Sequence, residues 1–112
     1  MTSFDLALTY VDSFYGDGDL ETVADILAAD LIFEGPLFSF DSADAYLASL
    51  REEPPAGMQY DLINSFADGS SVCLLYRVSK AGISTPMAPL FEITNGKISK
   101  ILLIFDSGPF RQ

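Results

Sequence analysis

The sequence predicts an α+β domain: helices packed on one face of a curved, mostly antiparallel sheet. Three observations carry this. Apolar residues recur at helical spacing through the first half, strand-like runs divided by turn signals fill the second, and neither half shows a repeat, a low-complexity segment or a linker. The 112 residues suit one domain, 1–112, with one core, and a hydrophobic content of 49% excludes disorder.

The elements follow in order. Ser3 is placed to cap a first helix, on which Phe4, Leu8, Val11 and Phe14/Tyr15 form the apolar stripe, and Gly16 and Gly18 end it. Asp19 caps a short second helix with Leu20, Val23, Ala24 and Leu27 on its buried side. The run DLIFE reads as a strand, closed by a bend at Gly35 and by Pro36, which lacks a ladder donor. Asp41 or Ser42 starts a third helix through Tyr46, Leu47 and Leu50, and Pro54-Pro55 prevents its continuation. Three strands follow, roughly MQYDLINSFA, SSVCLLYRVSK and PMAPLFEIT, separated by Asp68-Gly69 and a loop from Lys80 to Thr85. Asn95-Gly96 is a strong hairpin signal, since a type I′ turn needs positive φ at both central residues. It leads into KISKILLIFD, a last strand apolar on both faces.

Charge narrows the class of function. Sixteen acidic residues against 6 basic ones give a formal charge of -10, which repels phosphate backbones and anionic lipid, so neither nucleic acid nor a membrane surface is expected as a partner. No basic stretch precedes an apolar one in the manner of a leader, and no apolar run is long enough to span a bilayer; the expected location is cytoplasmic. The single cysteine, Cys73, cannot form an intrachain disulfide and reads as a small buried hydrophobe inside VCLLY. Histidine is absent, which removes the commonest general base at neutral pH, the Ser-His and Cys-His nucleophile pairs and the usual imidazole metal sites. No metal or cofactor is expected, and any catalysis must come from carboxylates, tyrosines, Arg77 or the lysines.

Two stretches, GDGDLETVADILAADLIFEGP and FEITNGKISKILLIFD, resemble the nuclear transport factor 2-like superfamily in its SnoaL-like and ketosteroid-isomerase-like branch. The first has the helix–Gly-Asp-Leu–helix–strand-Pro pattern; the second has the phenylalanine strand, the Gly-Lys-Ile turn and the closing Phe-Asp. The resemblance implies a cone, a cystatin-like α+β barrel made by the curved sheet and three helices, with a pocket at its open end. It also implies roles. Tyr10 and Tyr46 fall close to two isomerase tyrosines, one donating to the oxyanion and one supporting it. Gly35 stands where the isomerase base should be, and Phe91 where a protonated aspartate would complete the oxyanion hole. In the epoxide-hydrolase branch Arg77 fits the arginine, but Ser79 and Leu103 replace the two aspartates. The polyketide-cyclase branch pairs an aspartate with a histidine, which this chain lacks. One scaffold hosts many chemistries, so the resemblance speaks to fold more than to activity.

Strand parity sorts the remaining candidates. With Gly35 facing the pocket, Phe33 shares its side and Glu34 points to the wet side, unless the bend at Gly35-Pro36 turns it inward as a catalytic acid. Leu75, Arg77 and Ser79 are expected to share the pocket face, as are Phe91 with Ile93, and Ile101 with Leu103 and Phe105. Asp106 has the opposite parity and closes a strand end. The expected pocket is therefore apolar and tyrosine-lined, with Tyr10, Arg77 and Glu34 as catalytic candidates. Arg77 holds either an internal acid (Glu92, Asp61 or Glu34) or a ligand. Two functions stay open: a binder of a small hydrophobic molecule, carbonyl-bearing or anionic, acting as an isomerase, cyclase or hydrolase; or a non-catalytic pocket protein or dimerisation module. A homodimer is expected through the outer sheet face, with Ile98, Leu102 and Ile104 toward the partner and Lys100 nearer the rim.

Overall fold

Helix α1 (Ser3–Asp12) begins at a capping box one residue earlier than expected: the Thr2 hydroxyl accepts the Asp5 N–H, and the Asp5 carboxylate accepts the Thr2 N–H. This is a computed structural model describing residues 2–17, 19–52, 58–106 and 108, so the expected roles of Gly18 and Pro54-Pro55 lie outside the described residues. Leu6, Ala7, Tyr10 and Val11 form the buried stripe of α1; of the expected stripe, Val11 is buried and Phe4, Phe14 and Tyr15 pack against the core, but Leu8 is half-buried outside it. The α-helix stops at Asp12 and continues as a π-helical turn, Ser13–Asp17, which brings the adjacent Phe14 and Tyr15 against the core together. Asp19 caps α2 (Leu20–Ile26) by accepting from the N–H groups of Glu21 and Thr22. Leu27, expected on that helix, is already extended (ψ 138) and opens β1 (Leu27–Glu34).

A turn closed by the Gly35 N–H donating to the Phe38 carbonyl (2.9 Å) sends the chain back as the two-residue strand β2 (Ser39–Phe40), which the sequence did not signal. Ser42 accepts from the Ala45 N–H at the head of α3 (Ala43–Glu52). Four long strands follow: β3 (Gln59–Asp68), β4 (Ser71–Lys80), β5 (Ile83–Thr94) and β6 (Lys97–Phe105). The expected Lys80–Thr85 loop contracts to the turn Ala81-Gly82, both at positive φ (52 and 82), so β5 starts earlier than its apolar run. The sheet has six strands in the order β2-β1-β6-β5-β4-β3. It is open and mixed: β1 pairs with β6 in parallel, and every other pairing is antiparallel. None of the described helices is long and apolar enough to cross a membrane.

Asn95 and Gly96 both take positive φ (52 and 77), as the hairpin signal requires. Gly96→Val should therefore cost about 1–2 kcal/mol from the left-handed backbone alone. A urea midpoint equal to that of the wild type would show that the turn tolerates a β-branched residue.

Two features of register decide what faces inward. In β4, Val72, Leu74, Tyr76 and Val78 are the buried set, with Val72 opposite Phe91. Leu75, Arg77 and Ser79 lie on the opposite face, contrary to expectation. Ser71 and the expected pair Arg77 and Ser79 share the parity of Leu75, whereas Val72, Leu74, Tyr76 and Val78 are all apolar, so alternation along the whole strand favours the face that is buried. In β6, Ile98 pairs with Ile93 but Lys100 with Glu92, leaving Ser99 as an extra residue in a bulge. The bulge turns both Ile98 and Ile101 into the core, at 0% and 1% exposure. Ile98 thus does not face outward as expected.

The outer face is banded. Phe66, Cys73, Leu90 and Leu102 stand in register across β3, β4, β5 and β6, with Glu34 of β1 at the end of the row. Ile104 and Ala88 form part of a second apolar row. Asp68, Ser71, Glu92 and Lys100 border the band on one side, and Asp61, Arg77 and Pro86 on the other.

Candidate functional site

The five tyrosines of the chain converge on the inner face of the sheet. Helix α1 supplies Tyr10 and α3 supplies Tyr46, both buried, and their hydroxyl groups are hydrogen-bonded to each other. Tyr10 meets Phe91 edge-on, with ring centroids 5.4 Å apart, and stacks with Phe14 at 5.8 Å. Tyr46 stacks on Phe33 at 4.7 Å and tilts against Phe40 at 5.6 Å. Each phenol carries one proton. When one donates to the other, the accepting phenol keeps its own O–H, and among the described residues no third acceptor meets it.

Beside this pair lies a trio. Tyr15 from the π-helical turn, Tyr60 from β3 and Tyr76 from β4 have centroids 5.5–5.6 Å apart. The Tyr15 and Tyr76 hydroxyls are 3.2 Å apart, and Tyr15 also donates to Met87 Sδ at 3.7 Å, which makes Tyr76 the donor to Tyr15. Tyr60 donates to the Asp12 carboxylate.

Burial dominates the electrostatics. It raises the Tyr10, Tyr46 and Tyr76 phenols well above their ordinary value, and Tyr15 more modestly. Tyr60 is pushed up to about 12, by burial first and then by its hydrogen bond to Asp12 and that carboxylate's charge. All five are neutral donors near neutral pH. No charged side chain is buried among the described residues; apart from the phenols, the one buried polar side chain is Thr85. The interior can donate hydrogen bonds to an uncharged oxygen, but offers neither a cation for an anion nor a buried carboxylate as a base.

The expected site residues divide accordingly. Tyr10, Tyr46, Phe33, Phe91 and Ile101 are buried together, and Ile93, Leu103 and Phe105 are half-buried against the same core. Leu75 and Arg77 are not part of it. Arg77 is exposed on the outer face, opposite Asp61 and Pro86, and donates to the Ser84 hydroxyl at 3.4 Å. It is neither a ligand anchor in the cone nor half of a buried ion pair. Arg77→Met should shift stability by less than about 0.5 kcal/mol, as for other exposed sites; a loss of several kcal/mol on chemical denaturation would contradict this placement. Glu34 is exposed too, in register with Leu102 and Ser39, so it occupies the wet side. Cys73 is half-exposed on the outer band rather than buried, though what burial it has raises its thiol.

Gly35 is packed so that an added Cβ would lie 3.2 Å from Phe33 Cε1. Tyr60, Tyr76 and Asp12 were not among the expected site residues, and Tyr15 was expected only as part of the apolar stripe of α1. The parity that buries Val72 and Leu74 would have placed Tyr76 inside, and Tyr60 follows from its strand's register with β4. On the β1 side lies an open groove of about 490 Å³ lined by Ile32, Phe33, Glu34, Ser39, Phe40, Asp41 and Ala45. A second, of about 270 Å³, runs between Glu34–Pro36 and Leu102–Phe105.

Known proteins share this architecture. The model of the SnoaL-like domain matches residues 7–101. An NTF2-like protein of unknown function from Cytophaga hutchinsonii superposes with a TM-score of 0.87 at 20% identity, covering 100% of this chain and 96% of that one. A protein of unknown function with a cystatin-like fold from Xanthomonas campestris gives 0.78 at 20% identity, over 94% and 91%. An LEH-like epoxide hydrolase of M. tuberculosis gives 0.77 at 19% identity, over 93% and 82%. At these identities the likeness establishes the fold. No curated protein matches the sequence. The match spans most of the chain, from α1 into β6, and the chain belongs to the SnoaL-like domain family.

Proposed function

We propose that this domain binds a small, neutral, largely apolar molecule whose carbonyl or hydroxyl oxygen accepts a hydrogen bond from the Tyr10–Tyr46 pair. The observation that carries the reading is the uncommitted proton of that buried pair, surrounded by Phe14, Phe33, Phe40 and Phe91. A neutral phenol in apolar surroundings is a strong donor toward an oxygen that cannot find water. Such donors would also stabilise negative charge developing on that oxygen. Catalysis as an isomerase, cyclase or hydrolase further requires a base within reach of the reacting atom. Gly35 and Phe91 occupy the two acid positions, and Arg77 is on the other face. Binding without proton transfer is therefore the reading we put forward. An anionic ligand is disfavoured by the net charge of -10 and by the absence of a buried cation among the described residues. Native mass spectrometry after gentle purification tests this: a retained neutral compound, lost from Tyr10→Phe/Tyr46→Phe, is expected. Two bare proteins, or equal retention by both, would contradict it.

The banded outer face supports a homodimer. Phe66 and Ile104 are 57% and 60% exposed, and no described element covers the band. Leu102 and Ile104 would face the partner, with Lys100 at the rim. Each fully buried side chain of this kind contributes roughly 1.5–3 kcal/mol before association costs. Sedimentation velocity should show a dimer that Ile104→Asp dissociates; a wild-type monomer at tens of micromolar, an order-of-magnitude working range, would end this proposal. We assign the protein to the cytoplasm, where a half-exposed lone thiol stays reduced.

A further inference from the structure

Tyr10 and Tyr46 are 5% and 3% exposed, so a molecule reaches their hydroxyls only if a covering side chain moves. Taking that pair as the binding donor, as proposed above, we infer that the ligand enters through strand β2, with Phe40 as the gate. Among the described residues four phenylalanine rings lie against the pair: Phe14 and Phe91 on Tyr10, Phe33 and Phe40 on Tyr46. They are held unequally. Phe91 has no exposed surface and sits mid-sheet, between Val72 of β4 and Ile101 of β6. Phe33 is buried, stacks on Tyr46 at 4.7 Å and belongs to a strand with a neighbour on each side. Phe14 meets Tyr15 edge-on at 4.8 Å in the π-helical turn, which the Asp19 N–H closes by donating to the Ser13 carbonyl at 3.2 Å.

Phe40 differs from all three. It is half-buried, and its strand pairs with β1 at two positions, Phe33–Phe40 and Glu34–Ser39, and ends the sheet. Local opening draws on elements with little buried surface and hydrogen bonds close to solvent, and β2 is such an element. The stretch that swings, residues 35–41, is bounded by the end of β1 and by Ser42, whose hydroxyl accepts the Ala45 N–H and fixes the head of α3. An open groove runs along Phe40 and Ala45, so the ring borders space on that side. Phe38, on the same stretch, is exposed yet stacks with Phe40, their centroids 6.4 Å apart and planes inclined at 24°. A ring that leaves the core and returns needs an apolar neighbour in both positions, and Phe38 travels with it. Phe33 stays stacked on Tyr46 when Phe40 moves. Such a gate passes an apolar molecule and, when closed, holds water away from the phenol pair.

The test fastens the gate. The Gly35 N–H to Phe38 carbonyl bond makes Glu34 and Ser39 a pair without direct hydrogen bonds, by antiparallel alternation, and such a pair lies close enough for a disulfide. In Glu34→Cys/Ser39→Cys/Cys73→Ser without ligand, ¹³C relaxation dispersion should show microsecond-to-millisecond exchange at the Phe40 and Tyr46 rings while the protein is reduced, and none at Phe91. Oxidation should abolish it. Exchange that survives oxidation unchanged, or is absent from the reduced protein, would overturn the gate whether or not a ligand binds. With 1-tetralone as probe, oxidation should slow association and dissociation alike, by about tenfold or more, at an unchanged Kd. Equal rates in the two redox states would also overturn it. Phe40→Ala, which needs no disulfide, should speed association by about tenfold; an equal or slower rate would contradict the assignment of Phe40. The expected dispersion without any binding of 1-tetralone would support the gate and count against the Tyr10–Tyr46 reading, so the two fail separately.

Discussion

Phe91→Ala should lower the unfolding free energy by about 3–5 kcal/mol, the range for removing a buried aromatic ring and leaving a cavity. Phe91 has no exposed surface, lies between Val72 and Ile101 in the sheet, and presents its ring to the edge of Tyr10. The family resemblance would put a protonated aspartate here, where the chain has a buried apolar ring. Urea denaturation with an unchanged m-value would report the loss. A deficit below about 1 kcal/mol, well short of the usual aromatic-to-alanine cost, would show that the ring is loosely held.

A second large effect should appear in alkali. Phenols of the unfolded chain lose their protons near pH 10, whereas Tyr10, Tyr46 and Tyr76 hold theirs to higher pH because burial disfavours phenolate. Below pH 10 both states are protonated and stability does not depend on these groups. Above it the unfolded state binds fewer protons, so stability falls as pH rises, by about 1.4 kcal/mol per pH unit for each phenol and about 4 for the three. Phenolate absorbance should therefore rise together with the loss of far-ultraviolet circular dichroism, above the ordinary tyrosine range. Reversible ionisation of all five tyrosines near pH 10, with the fold intact, would contradict the burial of the cluster.

Much of this fold was legible in the sequence. The helical spacing in α1 and α3, the Asp19 cap, the Asn95-Gly96 turn and the order of helices before strands each rest on local chemistry that a short window contains. The inner face of β4 was misassigned because matching Arg77 to the hydrolase arginine carried Leu75 and Ser79 inward with it, although Val72, Leu74, Tyr76 and Val78 form the more apolar parity and are the buried one. Ile98 was not legible, since its direction depends on a bulge at Ser99 created by the partner strand. Two of the five clustered tyrosines, Tyr10 and Tyr46, came through the family resemblance. Tyr15 needed the π-helical turn, and Tyr60 and Tyr76 needed the correct parity. Arg77 stood out because a guanidinium in an apolar strand is costly if buried, and the strand avoids that cost by turning it to solvent.

The most direct measurement on the phenol pair is the infrared carbonyl stretch of a bicyclic aromatic ketone, 1-tetralone, bound to the wild type and to Tyr10→Phe/Tyr46→Phe. A ketone that accepts a hydrogen bond from a buried phenol should show a saturable band at lower frequency than in hydrocarbon solvent, and that shift should vanish in the double variant. A carbonyl band at the hydrocarbon position, identical in both proteins, would contradict the claim that the Tyr10–Tyr46 pair is the binding donor.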